Sequence, residues 1–262
     1  TSDNLVIIGA GYIGLEAAAV AAKKNKTVTV IEMADRVMNR TVDPQISEYY
    51  LNLHQSYGVK FYFNTSLETI NKASDSLEVV CSDGTEVKAD SVLIGAGVIP
   101  NIELAEDAGI YCDNGIIVDE FGQTKFKNVY ACGDCTNHPN KILNKNLRLE
   151  SVHNAMEQAK TVASSVLNNP MEYSQVPWFW SDQYDHKLQI VGLSGDHDLV
   201  TMRGTINDAE FMLFYTKDEE LIAVDAINNP KEFLISRKLV ANKVKIKPNV
   251  ISDLNTNLND LI

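Results

Sequence analysis

The chain has few cysteines and tryptophans and lacks any long apolar run. Its 262 residues include 4 cysteines and 2 tryptophans. The cysteines are scattered apart from one pair, so a disulfide-framed secreted domain is not indicated, and a cytoplasmic location is the expectation. No apolar run approaches the roughly 20 residues of a membrane span, and no signal peptide is expected before the first strand. We therefore expect a globular protein that does not enter a membrane.

Basic residues are also scarce. There are 23 Lys and Arg against 35 Asp and Glu, a formal net charge of −12. This deficit argues against nucleic acid as a partner. The 5 histidines show no metal-ligand spacing with the cysteines, so no metal site is expected. The length suffices for two domains with a sizeable core.

The first motif is a glycine-rich turn between a strand and a helix. Leu5–Ile8 is wholly apolar, as in a strand buried on both faces of a parallel sheet. Gly9, Gly11 and Gly14 follow as G-x-G-x-x-G, and Leu15–Lys24 is Ala-rich and helical in pattern. In a dinucleotide site these glycines give a tight turn, room for a pyrophosphate and close helix packing. Because strand and helix flank it, the motif predicts a dinucleotide site.

A carboxylate follows at the expected distance. The second strand, Val28–Ile31, ends in Glu32, where the ribose hydroxyls of an adenine dinucleotide would lie. A carboxylate repels a 2′-phosphate, which favours NAD(H) over NADP(H). Arg36 tempers this preference, since a nearby arginine can accept that phosphate. We predict NAD(H).

The α/β pattern continues to residue 98. A second glycine-rich end follows the apolar run Ser91–Ile94, where Gly95 and Gly97 precede Pro100. Ligands bind at the carboxyl ends of parallel strands, so these glycines are candidates for a ligand contact, and a plain turn is the alternative. The other predicted elements of this part are a helix at 44–57, a strand at 59–63, and a hairpin of 77–81 and 85–88 around Asp83-Gly84.

After residue 98 the pattern of predicted elements changes. Short strands are predicted at 116–119 and 129–131, and Cys132-Gly133-Asp134-Cys135 follows the second. A helix is predicted at 151–167, with Ser151 as its N-cap and small apolar residues on one face. Antiparallel strands are predicted at 187–192, 199–204, 210–215 and 221–227, then a helix at 230–241.

The predicted fold class is α/β: Rossmann-like nucleotide-binding domain(s) followed by a C-terminal α+β domain with an antiparallel sheet. The pattern predicts a first, NAD-binding Rossmann domain at 1–98, followed by segments at 99–176 and 177–262.

Five segments together resemble a known family. GAGYIGLE, VLIGAGVIPN, VYACGDC, RLESVHNAMEQA and VPWFWSDQYD resemble the FAD-dependent NADH:ferredoxin and rubredoxin reductases, which are similar to putidaredoxin reductase and belong to the pyridine nucleotide-disulfide oxidoreductase superfamily. The resemblance covers essentially the whole chain. It implies that 1–98 is the NAD-binding Rossmann domain, 99–176 the second half of a split FAD-binding domain, and 177–262 a C-terminal reductase domain. It implies an enzyme that passes a hydride from NADH to FAD, then single electrons to a ferredoxin- or rubredoxin-type carrier.

The resemblance also implies roles for individual residues near the nicotinamide. Glu16 would lie near the nicotinamide–flavin contact, and Tyr12 would move aside when nicotinamide stacks on the flavin. The Gly9–Gly14 loop and Glu32 would hold NADH.

A second group would contact the flavin. Asp134, which follows Gly133, would accept a hydrogen bond from the ribityl chain of FAD. Glu150, Val152 and Trp180 would lie by the pyrimidine edge of the flavin.

The chain departs from the family in one respect. Members carry an earlier half of the FAD domain with its own glycine fingerprint, whereas only one G-x-G-x-x-G occurs here. We therefore expect a fragment of a longer parent. Two alternatives remain open: a flavin-dependent disulfide reductase, and a non-catalytic NADH-binding fragment unable to hold FAD. Cys132-x-x-Cys135 also allows a thioredoxin-like redox pair.

Overall fold

The computed structural model describes residues 3–262. The chain forms two compact units. The first comprises Thr1–Val98 with Ser181–Leu188, and the second comprises Ile99–Trp180 with Gln189–Ile262. The hairpin tip at 181–188 thus belongs to the first unit, although its neighbours in sequence belong to the second. The three-domain division stays a prediction.

The first unit is an α/β layer around a parallel sheet. The sheet has the strand order β3-β2-β1-β7, and a separate antiparallel sheet has the order β4-β5-β6. Val6, Ile8 and Ile31 lie in its buried core. The elements are β1 (Asn4–Ile8), α1 (Tyr12–Lys23), β2 (Thr27–Ile31), α2 (Pro44–Ser56), β3 (Lys60–Tyr62), β4 (Leu67–Lys72), β5 (Leu77–Cys81), β6 (Glu86–Ala89) and β7 (Ser91–Ile94).

The predicted elements of this unit all form, with small differences at their ends. Helix α1 begins at Tyr12 rather than Leu15, directly after Gly11 as N-cap. Strand β4 has no counterpart in the prediction, because its alternation of exposed and half-buried residues gives no apolar run. It pairs with β5 and extends the predicted hairpin to three strands.

The second unit is α+β. Its sheets have the orders β10-β9-β8 and β11-β12-β15-β14-β13, and the larger one packs its core around Met212, Phe214 and Phe233. The elements are α3 (Glu103–Asp107), β8 (Ile116–Ile117), β9 (Thr136–Asn140), β10 (Lys145–Leu147), α4 (Val152–Val166), β11 (Trp178–Gln183), β12 (His186–Gly192), β13 (Leu199–Thr205), β14 (Glu210–Lys217), β15 (Glu220–Ile227), α5 (Pro230–Ala241) and α6 (Pro248–Ser252), with 3₁₀ turns at Ile206–Asp208 and Leu258–Leu261.

One predicted strand of this unit does not form. Residues 129–131 make a single β-bridge, between Tyr130 and Gln123, and no ladder. The run is only three residues long, and Asn128 and Gly133 at either end have positive φ. Pairing therefore stops after one bridge, and the prediction of a strand at 129–131 was wrong.

Helix α4 buries a different face from the one its apolar residues mark. Ser151 accepts a hydrogen bond from the backbone N–H of Asn154, so the predicted N-cap is confirmed. The buried positions, however, are Asn154, Gln158, Thr161 and Ser164. Among the small apolar residues, Ala159 and Ala163 are exposed. The helix therefore packs through hydrogen-bonding side chains.

Candidate functional site: a nucleotide loop and a second group of exposed acceptors

The three glycines of the first loop occupy different environments. Gly9 has φ +101°, and a Cβ there would lie 2.5 Å from the carbonyl oxygen of Gly95. A Cβ on Gly14 would lie 2.1 Å from the carbonyl oxygen of Gly9. A Cβ on Gly11 would meet nothing within 4 Å. Gly9 and Gly14 are thus required by the fold, whereas Gly11 borders open space.

The open space adjoins the start of α1. Its N-cap is Gly11, which has no side chain to cap the helix, and no acidic side chain lies in the first turn. The first backbone N–H groups are therefore available to an anion, and the positive end of the helix dipole favours one. This geometry fits a pyrophosphate.

Glu32 follows β2 and binds the glycine loop directly. Its Oε2 accepts a hydrogen bond from the backbone N–H of Ala10 at 2.6 Å, and its Oε1 accepts one from Ala34 at 2.8 Å. Each carboxylate oxygen has two acceptor positions, so both retain capacity for a ribose hydroxyl. The donor set fits the ribose of an adenine dinucleotide.

Arg36 is engaged within its own loop. Its Nη1 donates to the carbonyl of Val42 and to Ser47 Oγ, and its Nη2 donates to the carbonyl of Asn39. The guanidinium therefore stabilises the segment between β2 and α2. A 2′-phosphate would have to compete with these partners for it.

Tyr12 and Glu16 lie one turn apart on α1. Both are half-buried. Glu16 Oε1 accepts a hydrogen bond of 2.6 Å from Ser181 Oγ, on the hairpin that belongs to the same unit. Tyr50 lies close enough that Tyr12 and Glu16 both raise the pKa of its phenol, in addition to the larger effect of burial. Within residues 3–262 the buried Tyr50 hydroxyl has no hydrogen-bond partner.

Gly95 and Gly97 follow β7. The Gly95 N–H donates to the carbonyl of Ile8, and its own carbonyl lies against Gly9. Gly97 has φ +108° and is exposed. This close approach requires a glycine at position 9, whereas a Cβ on Gly95 would meet no atom closer than 3.5 Å. The ligand role of Gly95 and Gly97 stays a prediction.

In the second unit, Gly133 and Asp134 lie on a loop held by α4. Gln158 Oε1 accepts hydrogen bonds from the Gly133 N–H at 2.6 Å and the Thr136 hydroxyl at 2.7 Å. Its Nε2 donates to His138 Nδ1. Burial lowers the pKa of His138 to about 4, so the ring is neutral and accepts this bond. The polar face of α4 thus fixes the backbone from Gly133 to Thr136.

The Asp134 carboxylate projects from this loop and remains exposed. Partial desolvation, and then the nearby carboxylate of Glu150, raise its pKa. Arg148 links the two, because its Nη1 donates to the carbonyl of Asp134 and to Glu150 Oε1. Two exposed acceptors are thereby presented next to the N-terminus of α4.

Exposed apolar side chains complete this group. Val152 is 58% exposed and Trp180 is 40% exposed. His153 on α4 and Trp178 on β11 have ring centroids 5.5 Å apart, and Trp178 lies 5.5 Å from Trp180. Carboxylate acceptors with exposed apolar surface fit a hydroxylated chain and a flat heterocycle, as in the ribityl chain and ring of FAD.

The cysteine pair shows no sign of an activated thiol. Cys132 and Cys135 are free, and Cys135 Sγ contacts the carbonyl oxygen of Cys132 at 3.7 Å. Burial raises the pKa of Cys132, so its nucleophilic thiolate form is disfavoured. A reactive dithiol requires the opposite shift.

Comparison with known proteins places the chain in a family. Residues 1–159 match the family model described as pyridine nucleotide-disulphide oxidoreductase, and residues 178–262 match the one described as reductase C-terminal. The chain belongs to the pyridine nucleotide-disulphide oxidoreductase family. The resemblance stated from the sequence motifs, and the α/β fold class with an antiparallel C-terminal domain, are confirmed.

Relatives within this family align along nearly all of the chain. Putidaredoxin reductase CamA of Pseudomonas putida is 39% identical over 100% of this chain and 63% of its own length. Rhodocoxin reductase of Rhodococcus erythropolis is 40% identical over 98% of this chain and 60% of its own length. The chain thus spans somewhat less than two thirds of the length of these relatives.

Two solved structures of the family are similar throughout. The ferredoxin reductase for the CYP199A2 system from Rhodopseudomonas palustris has a TM-score of 0.95 at 38% identity and covers 99% of this chain and 64% of its own. The reductase of a covalent putidaredoxin reductase–putidaredoxin complex has a TM-score of 0.94 at 38% identity, over 99% of this chain and 63% of its own. Within residues 3–262, no helix is long and apolar enough to cross a membrane.

Sequence reasoning passed over the residues that support these groups. His54 lies among ordinary helical residues and belongs to no motif, whereas Gln158 lies inside RLESVHNAMEQA, a segment that identifies the family but assigns Gln158 no role. Ser181 and Gln183 lie inside PWFWSDQYD, which likewise identifies the family without assigning either residue a role.

Proposed function

We propose that this chain is part of an NADH-dependent, FAD-containing reductase that delivers electrons to a ferredoxin- or rubredoxin-type carrier. The observation that carries the proposal is the alignment of 98–100% of the chain, including its C-terminal domain, with putidaredoxin reductase and rhodocoxin reductase. One structural neighbour is a reductase joined to putidaredoxin. Such carriers are the partners we assign to the parent protein.

The first unit binds NADH in this proposal. The pyrophosphate occupies the open space at Gly11 and accepts hydrogen bonds from the first turn of α1. Glu32 accepts hydrogen bonds from the ribose hydroxyls while its two backbone contacts fix its position. NADH is preferred over NADPH, because Glu32 repels a 2′-phosphate and Arg36 already has three partners.

The second unit contributes to the flavin site. When bound, FAD supplies the two-electron to one-electron chemistry that connects NADH with a one-electron carrier. Asp134, positioned by Gly133 and α4, accepts a hydrogen bond from the ribityl chain. Glu150, Val152 and Trp180 lie along the edge of the ring. These residues bind and orient, and none of them has to act as an acid or base.

We also assign the protein to the cytoplasm. All 4 cysteines are unpaired thiols, and free thiols persist most readily in a reducing compartment.

The test is reduction of an acceptor by the protein supplied with FAD. We expect anaerobic NADH to bleach the visible flavin band, and a [2Fe–2S] ferredoxin to be reduced at the expense of NADH. Bound flavin that NADH fails to bleach would overturn the proposal.

A second arm addresses the disulfide-reductase alternative. A low-molecular-weight disulfide replaces ferredoxin, and thiols are titrated before and after NADH. We expect no new thiols, since Cys132 is disfavoured as a thiolate. Faster turnover with the disulfide than with ferredoxin would favour the alternative.

A further inference from the structure

A continuous row of hydrogen bonds ends at Glu16. Ser181 Oγ donates to Glu16 Oε1 at 2.6 Å, and Gln183 Nε2 donates to Ser181 Oγ at 3.1 Å. Gln183 Oε1 lies 2.8 Å from His54 Nε2, and His54 Nδ1 lies 3.1 Å from the Tyr184 hydroxyl. We call these five residues the polar row. All of them belong to the first unit.

The Glu16 carboxylate, at one end of the polar row, determines which group donates and which accepts in each hydrogen bond of the row. An ionised carboxylate only accepts hydrogen bonds, so the hydroxyl of Ser181 must donate to Glu16. Ser181 then takes its other bond as an acceptor, which requires the NH₂ group of Gln183 and fixes the orientation of that amide. Gln183 Oε1 is left to accept from His54 Nε2–H. His54 Nδ1, unprotonated in this tautomer, accepts from Tyr184.

The middle of the polar row is sealed from water. Ser181, Gln183 and His54 are each 0% exposed. Burial lowers the pKa of His54 to about 4, so the ring stays neutral and keeps a single tautomer near neutral pH. At the far end, the Tyr184 ring stacks on Tyr57 with centroids 3.9 Å apart. Solvent therefore cannot substitute for any of the inner bonds.

The Glu16 end of the polar row, unlike its middle, is only partly buried. Glu16 is half-buried, and among the described residues its carboxylate has no hydrogen bond other than the one from Ser181. Apolar side chains of similar volume would fill the same interior without the desolvation that buried polar groups require. A fully satisfied polar row that ends at one half-buried carboxylate instead holds that carboxylate in one orientation.

We propose that Ser181, Gln183 and His54 are positioning residues that orient the Glu16 carboxylate toward the nicotinamide half of bound NADH. The inference rests on the proposed function, since it assumes that NADH binds at the Gly9–Gly14 loop. Glu16 touches the ligand in this account, and the other three act through it. The adenine half, bound by Glu32 and the start of α1, is independent of the polar row.

Binding of two ligands distinguishes the nicotinamide half of the NADH site from the adenine half. Calorimetric titration of the 262-residue chain gives Kd for NADH and for ADP-ribose, which lacks the nicotinamide. We expect Ser181→Ala and Gln183→Leu to weaken NADH about tenfold and to leave the Kd of ADP-ribose within about twofold. Ser181→Thr, which keeps the hydroxyl, restores most of the NADH affinity. Asp185→Asn, an exposed change on the same hairpin, leaves both values unchanged.

The outcomes are distinct. Equal loss of both ligands, or no loss of NADH, overturns the positioning role while the proposed function stands. A wild-type chain that binds neither ligand contradicts the NADH site itself, and with it the role of the polar row.

A second measurement needs no ligand. The ¹⁵N shifts of His54 report which ring nitrogen carries the proton. We expect a neutral ring protonated at Nε2 at pH 7, and we expect Gln183→Leu to remove this preference. A ring protonated at Nδ1 reverses the bonds to Gln183 and Tyr184, and an imidazolium reverses the bond to Tyr184. Either result overturns the polar row, even where a variant fails to fold.

Discussion

At the scale of single residues, the glycine loop separates what the fold needs from what a ligand needs. Gly9 and Gly14 approach backbone atoms so closely that neither tolerates a Cβ, whereas Gly11 has open space around it. The sequence predicts these three tasks, because the spacing fixes them. It does not predict the partners of Arg36, since those lie on a loop whose path no pattern specifies.

An added methyl group distinguishes the two kinds of glycine. We expect Gly14→Ala to lower the thermal unfolding temperature, because the new Cβ would lie 2.1 Å from the Gly9 carbonyl oxygen. Gly11→Ala, with φ −77° and nothing within 4 Å, leaves stability unchanged. It nevertheless weakens NADH at least tenfold, because the methyl group occupies the space for the pyrophosphate. Calorimetry and binding titration check both, and unaltered NADH binding in Gly11→Ala would contradict the site.

At the scale of elements, helix α4 supports the predicted flavin loop through its polar face. Sequence periodicity locates the helix and its cap, but the small apolar residues do not mark the face that is buried. The reason is physical: Asn154 and Gln158 are buried because each has partners elsewhere in the fold, and an apolar count does not register such partners. Asn154, for example, donates to the carbonyl of Leu149 and accepts from the Tyr173 hydroxyl.

Replacement of Gln158 tests this support. Gln158→Leu leaves the buried Gly133 N–H without an acceptor, which costs about 1–3 kcal/mol. We expect a less stable second unit and weaker FAD binding through a displaced Asp134. Gln158→Glu keeps the acceptor oxygens and retains more of both. Denaturant unfolding and flavin fluorescence measure the two effects, and equal behaviour of both variants would refute the role of the acceptor.

The C-terminal segment depends on one buried arginine. Arg203 on β13 is 3% exposed and pairs with both carboxylate oxygens of Glu232 on α5. It also donates to the carbonyls of Ile251, Asp253 and Thr256. This single side chain therefore joins the sheet, α5 and the last residues of the chain.

Removal of this side chain is expected to be costly. Arg203→Leu removes the charged partner of Glu232 and one donor from each of three carbonyls, and we expect a loss of about 3–5 kcal/mol in the free energy of unfolding. Lys160→Ala, which removes an exposed pair with Glu157 on α4, changes it by less than about 0.5 kcal/mol. Urea unfolding compares them. A similar effect of the two substitutions would show that the buried pair contributes little.

At the scale of the whole molecule, the sequence predicts the order of elements well and the joining of distant segments poorly. The hairpin at Ser181–Leu188 belongs to the unit formed by Thr1–Val98. No local sequence pattern predicts that the hairpin joins this unit, because Ser181 and its partner Glu16 are 165 positions apart in the sequence. Such contacts depend on the complete fold, so the polar row was inaccessible to sequence patterns.

Stability of both units depends on pH through buried histidines. Burial lowers the pKa of His54 in the first unit and of His138 in the second to about 4, from 6.5. The unfolded chain therefore binds more protons than the folded chain between about pH 6.5 and 4. Stability is fully present above this window and is lost as pH falls through it, by up to about 3 kcal/mol for each histidine.

Denaturant unfolding at pH 7.5, 5.5 and 4.5 measures this loss. His138→Asn keeps an acceptor for Gln158 but does not titrate, so we expect it to reduce the pH dependence of the second unit and leave that of the first. Stability that is constant or increases as pH falls from 6.5 would contradict the burial of neutral histidines.

The most direct test of the NADH site is a comparative titration of the 262-residue chain with NADH and NADPH. We expect saturable binding of one NADH, at least tenfold tighter than NADPH, because Glu32 accepts hydrogen bonds from the ribose and Arg36 is engaged in its own loop. Absence of NADH binding, or NADPH binding as tightly as NADH, would contradict this expectation.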